Sequence, residues 1–121
     1  MNHRLALISG FAALAAASVA VAHPLPRAVA PAPNSVLTAS PARISITFSE
    51  PLVAAFSGLE LKNQAGAPVS LGAATVGPKD RKQLSAPVKA VLAAGTYRVN
   101  WHAVSTDTHH VSGHYSFKVK P

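Results

Sequence analysis

The chain of 121 residues carries eleven Lys and Arg, four Asp and Glu, six His and no Cys, for a formal charge of +7. Without cysteine it can form neither a disulfide framework nor a thiolate metal site, so any metal has to be held by nitrogen and oxygen. The positive excess raises nucleic acid or an anionic membrane as partners. Yet Arg27, Arg43, Lys62, Lys89, Arg98, Lys118 and Lys120 are scattered, and only Lys79-Asp80-Arg81-Lys82 clusters. That is the pattern of a solvated surface, not of a nucleic-acid footprint.

His3 and Arg4 open the chain, an apolar stretch runs from Leu5 to Val19, and Ala20-Val21-Ala22 closes it. A positive start, a short apolar run and a small-x-small end make a cleavable secretory signal over residues 1–22. The stretch is Ala-rich and shorter than the ~20 residues that span a bilayer, which sets the alternative of a retained anchor aside. The mature protein is expected to begin at His23, to be exported, and to form one domain over residues 23–121.

Ten prolines and short runs of Val, Ile, Leu, Phe and Tyr predict an all-β chain. In chain order, strands are expected over Leu25 to Ala30, Arg43 to Ser49, Gly58 to Lys62, Val69 to Leu71 and Gln83 to Pro87. In the second of these Ile44, Ile46 and Phe48 alternate with Arg43, Ser45 and Thr47, so one face is buried and the other meets water. Asn63-Gln64-Ala65-Gly66 reads as a turn, and the polar segment Gly77 to Gln83 as an exposed loop.

The C-terminal part predicts two antiparallel strands. Tyr97, Val99, Trp101 and Ala103 share one face, and Tyr115, Phe117 and Val119 share a face of the partner, with Ser105 to His110 as the connection. Pairing centred near Thr108 sets Trp101 opposite Tyr115 and Val99 opposite Phe117. Tyr97, after Leu92-Ala93-Ala94-Gly95-Thr96, has the position of a corner tyrosine whose hydroxyl bonds back to upstream backbone. With about seven strands in about 100 residues, this points to an immunoglobulin-like sandwich.

Two places carry candidate metal chemistry. Once the leader is cut, His23 presents a free amine and a ring Nδ1 that can close a chelate on copper(II). Pro24 supplies no backbone amide nitrogen, so the amine and imidazole are the donors from this end. Asp107-Thr108-His109 lies in the predicted hairpin turn, where residues two apart can face the same way. Together these residues offer an amine, two imidazoles and a carboxylate, a tetragonal set suited to copper(II). His109 is the expected imidazole, although His110 beside it competes. The same register sets His102 opposite His114, a pair that would hold a second metal weakly at most. The single methionine, Met1, leaves with the signal, so no thioether site for copper(I) can form.

The residues His23-Pro24, Phe48-Ser49-Glu50-Pro51-Leu52, Phe56-Ser57-Gly58, Gly95-Thr96-Tyr97, Trp101 to His109, Ser112-Gly113 and Phe117-Lys118-Val119 together resemble the CopC family of periplasmic copper-resistance proteins. The resemblance covers essentially the whole mature chain. It implies an immunoglobulin-like or cupredoxin-like Greek-key β-sandwich without enzyme activity, binding one copper(II) ion through His23, Asp107 and His109. It also implies delivery of that ion to, or its withholding from, an inner-membrane copper transporter or another periplasmic copper protein. Glu50 matches an acidic residue near the family's copper site and is carried as a group behind the ligands or at an axial position. Two departures stand out: the methionine-rich loop of the best-known members is missing, and His110 replaces the proline usual after Asp-x-His.

Two other functions compete. An N-terminal histidine brace is also how copper monooxygenases hold their metal, but such enzymes keep an open coordination position, which the Asp107 carboxylate would fill. A metal-free secreted interaction module shares the fold, and fold alone never excludes it.

Overall fold

The computed structural model describes residues 23–121; the predicted leader lies outside the described residues. Among the described residues nine strands form two facing sheets: β1 Pro26–Ala30, β2 Val36–Leu37, β3 Arg43–Phe48, β4 Gly58–Lys62, β5 Pro68–Val69, β6 Thr75–Val76, β7 Gln83–Pro87, β8 Gly95–Val104 and β9 His110–Val119. One sheet has the order β1-β3-β7-β6 and the other β2-β9-β8-β4-β5. A single 3-10 turn, Ala54–Phe56, is the one helical element among the described residues. The all-β sandwich is as expected. The two strands beyond the expected seven are β2 and β6, each two residues long and therefore without enough alternation to be read from sequence.

The core lies between the sheets and falls into two clusters. Ile44, Leu61, Leu92, Tyr97, Val99, Phe117 and Val119 fill one end. Ile46, Phe48, Leu52, Leu84, Trp101 and Ala103 fill the other, with Phe48 edge-on to Trp101 at 5.2 Å between ring centres. Apart from Leu61 of β4 and the loop residues Leu52 and Leu92, these are the alternating apolar residues of β3, β7, β8 and β9, and each fully buried large side chain contributes about 1.5–3 kcal/mol. The Tyr97 hydroxyl donates to Ala93 C=O at 2.8 Å, the corner contact expected of it. Tyr115, half-buried between both clusters, has its hydroxyl pushed up to about 12 by desolvation.

The β8–β9 hairpin corrects the expected register. Val99 faces Tyr115 and Tyr97 faces Phe117, while Trp101 faces Gly113. The slip of two residues on one strand keeps every side chain on its expected face, because the strand period is two. Its cause is steric: a Cβ on Gly113 would stand 2.5 Å from Trp101 Cζ2, so the indole lies over the one β9 position without a side chain. The correction also removes the expected His102–His114 pair. His102 faces Ser112 and lies over Gly58 on β4, while His114 faces Asn100.

Candidate metal centre

The segment leading into β1 is tied to the end of β3. Pro24 is fully buried, and the Ser49 hydroxyl accepts the Leu25 N–H at 3.0 Å and donates to His23 C=O at 3.3 Å. Ser49 N–H also donates to Leu25 C=O at 2.8 Å. His23 itself is exposed, but these contacts hold its backbone against the end of the sandwich.

The β8–β9 connection closes at the same end. Leu52 forms a bridge with Ser105, Val53 N–H donates to Val104 C=O at 2.8 Å, and Thr106 N–H donates to Pro51 C=O at 3.0 Å. Residues 51–53 therefore stitch the first sheet to the tip of the second. Thr108 has φ 71°, a left-handed conformation that non-glycine residues seldom take, and this closes the turn so that Asp107 and His109 meet.

Of the sequence-predicted residues, His23, Asp107 and His109 come together. The rings of His23 and His109 stand edge to face with centres 5.1 Å apart. His109 Nδ1 lies 3.1 Å from Asp107 Oδ1. That nitrogen is buried and has no hydrogen-bond partner of aligned geometry, so it lies close to the Asp107 carboxylate without a formed hydrogen bond. Among the described residues no three His, Asp or Glu side chains converge tightly enough to enclose an ion by themselves. The expected fourth donor, the His23 amine, exists only once the peptide bond to Ala22 is cut. Two imidazoles and a carboxylate beside such an amine are a nitrogen and oxygen set suited to copper(II), and a buried nitrogen left without a hydrogen-bond partner fits a metal ligand.

His110 begins β9 opposite Val104 and is exposed beside His102 and Phe56 on the outer face of the five-stranded sheet. It is separated from the His23–His109 contact by the alternation of the strand. Glu50, next to Ser49, is half-buried and takes part in no ion pair among the described residues.

The Ser105 hydroxyl, followed by His109, holds the Asp107 carboxyl below the ordinary carboxylate range. Because its folded value is depressed, the interaction stabilises the protein above the unfolded value near 3.8 and is lost as pH falls through the lower folded one. Carbon-detected NMR of the metal-free protein is expected to show Asp107 titrating below the ordinary aspartate value of 3.8; a midpoint at or above that value would contradict this. Sequence reasoning passed over both serines. They stand inside the motifs quoted above, but a serine in a turn carries no spacing signal of its own.

The architecture and this end of it define a small β-sandwich with an imidazole–carboxylate cluster beside its first residues. Residues 27–120 match the CopC domain, and the chain belongs to the CopC family. It is 40% identical over 124 residues to "Copper resistance protein C" of Pseudomonas syringae pv. tomato, covering 98% of each chain. Among solved structures it resembles PcoC, described as a methionine-rich copper resistance protein from Escherichia coli, with a TM-score of 0.72 and 38% identity. That match covers 82% of this chain and 100% of PcoC. A further relative, "Copper transport protein CutJ" of Bacillus subtilis, is 32% identical over 89 residues, which are 74% of this chain and 16% of CutJ.

Proposed function

We propose that this protein is a copper-binding protein of copper resistance, exported to the periplasm by cleavage after Ala22, that holds one copper(II) ion per chain. The ligands are the amine and imidazole of His23, the carboxylate of Asp107 and the imidazole of His109. The observation that carries this reading is the meeting of His23, at one end of the domain's chain, with the Asp107–His109 turn 84 to 86 positions later, as numbered in the sequence. Copper resistance is named for both the Pseudomonas syringae relative and PcoC.

The donor set fills the plane favoured by copper(II) and leaves little room for a substrate, so the protein acts as carrier or sequestering agent and not as a monooxygenase. PcoC is named for its methionines, whereas this chain has one, Met1, so the oxidised ion is its cargo. The likeness to a short part of a longer copper transport protein supports delivery to an inner-membrane copper transporter, or to another periplasmic copper protein.

Titration of the chain beginning at His23 with copper(II), against a competing chelator, tests the ligand assignment. His109→Ala is expected to weaken binding by more than the roughly 10–100-fold that follows loss of a group merely supporting a ligand. His110→Ala is expected to bind as the parent does. The reverse order would move the site to His110, and equal affinity in all three proteins would remove it from this turn.

A further inference from the structure

We infer that Ser105 is the positioning residue of the copper site, its hydroxyl setting the Asp107 carboxylate and the His109 backbone in place before an ion arrives. The inference rests on the ligand assignment proposed above. Ser105 directly follows β8, forms the bridge with Leu52 and is only 1% exposed. Its hydroxyl donates to Asp107 Oδ1 and accepts the His109 N–H at 3.2 Å. Its own N–H donates to His109 C=O at 3.0 Å, and its C=O accepts the Thr108 N–H at 2.9 Å. One buried residue thus grips both ends of the Asp-x-His turn.

Engagement of Oδ1 has two consequences. The carboxylate loses most of its rotational freedom in the metal-free protein, so binding does not have to order it. The other oxygen, Oδ2, takes no hydrogen bond among the described residues, so Asp107 keeps a carboxylate oxygen free for an incoming ion. A partner hydrogen-bonded to a metal ligand typically governs the ligand's orientation and basicity in this way.

Ser57 offers a matched control. It is 8% exposed, its hydroxyl donates to Val53 C=O at 2.9 Å and accepts the Val104 N–H at 3.1 Å, and its recorded hydrogen bonds involve neither Asp107 nor His109. Removal of either hydroxyl breaks one donated bond and one accepted backbone N–H bond next to the same strand end, and the Ser105 hydroxyl also lies 3.5 Å from His109 C=O. A loss that is merely structural has to show equally in both.

The test compares Ser105→Ala, Ser105→Thr, Ser57→Ala and Asp107→Ala in the chain beginning at His23, by melting, copper(II) affinity and electron paramagnetic resonance. Ser105→Ala is expected to bind copper(II) roughly 10–100-fold more weakly with an altered spectrum. Ser57→Ala should melt lower yet keep the parent affinity and spectrum, and Ser105→Thr, which keeps the hydroxyl, should restore both. Parent-like affinity and spectrum in Ser105→Ala overturn the inference, as does an equal loss in Ser57→Ala. If Ser105→Ala does not fold, the Thr variant decides: parent-like binding supports the role, and a folded Thr variant with weakened binding overturns it. Asp107→Ala separates the two levels, since parent-like binding there sinks the ligand assignment itself, whatever Ser105 does.

Discussion

A chain carrying one alanine ahead of His23 is expected to lose most of its copper(II) affinity. The extension leaves every side chain of the site in place and removes one donor, because the His23 nitrogen becomes an amide and the chelate between amine and imidazole cannot close. Losing a direct ligand should exceed the roughly 10–100-fold effect of losing a supporting group. It should also replace a nitrogen-rich tetragonal resonance with a weaker, heterogeneous one. The chain beginning at His23, at copper one hundredfold above its Kd, should gain about 2.7 kcal/mol, a rise in Tm on the order of 10 to 20 °C. The extended chain should show little of this rise. Equal affinity and equal stabilisation in both preparations would mean that the amine is not used, and the site would have to be rebuilt from the histidines of β8, β9 and their turn.

Phe117→Ala is expected to be the most damaging substitution for stability while sparing copper affinity. Phe117 is fully buried, stacks on Tyr97 at 5.7 Å between ring centres, and belongs to the cluster formed with Ile44, Leu61, Leu92, Val99 and Val119. Truncating a buried Phe typically costs about 3–5 kcal/mol, against about 5–15 kcal/mol for a whole domain. A fall in Tm of roughly 15 to 30 °C follows for a domain of this size. The proposed copper ligands lie at the end of the sandwich where Ser105 bridges Leu52, a member of the other cluster, the one around Phe48 and Trp101, so the folded fraction should bind copper as the parent does. A drop in intrinsic affinity as large as that of His109→Ala would show that the two clusters are not separable.

The two variants read different parts of the same molecule. One removes a proposed ligand without touching the core, and the other hollows the cluster to which Leu52, beside the proposed site, does not belong. Their contrast separates binding from folding, which a melting curve alone does not, because anything bound to the native state raises Tm.

The sequence by itself determined the fold class, the faces of the long strands and the residues proposed to bind copper. Ile44, Ile46 and Phe48, and Tyr97 to Ala103, alternate so regularly that only one burial pattern satisfies them. The absence of cysteine and the single methionine confine the donors to nitrogen and oxygen before any geometry is known. The tertiary structure decided the pairing of β8 with β9, because alternation is blind to a slip of two residues and the deciding contact, Trp101 over Gly113, is a matter of volume. It also decided that His109 meets His23 while His110 begins β9 on the exposed face. That outcome depends on a left-handed Thr108 and on a buried Ser105, local geometry that no periodicity carries.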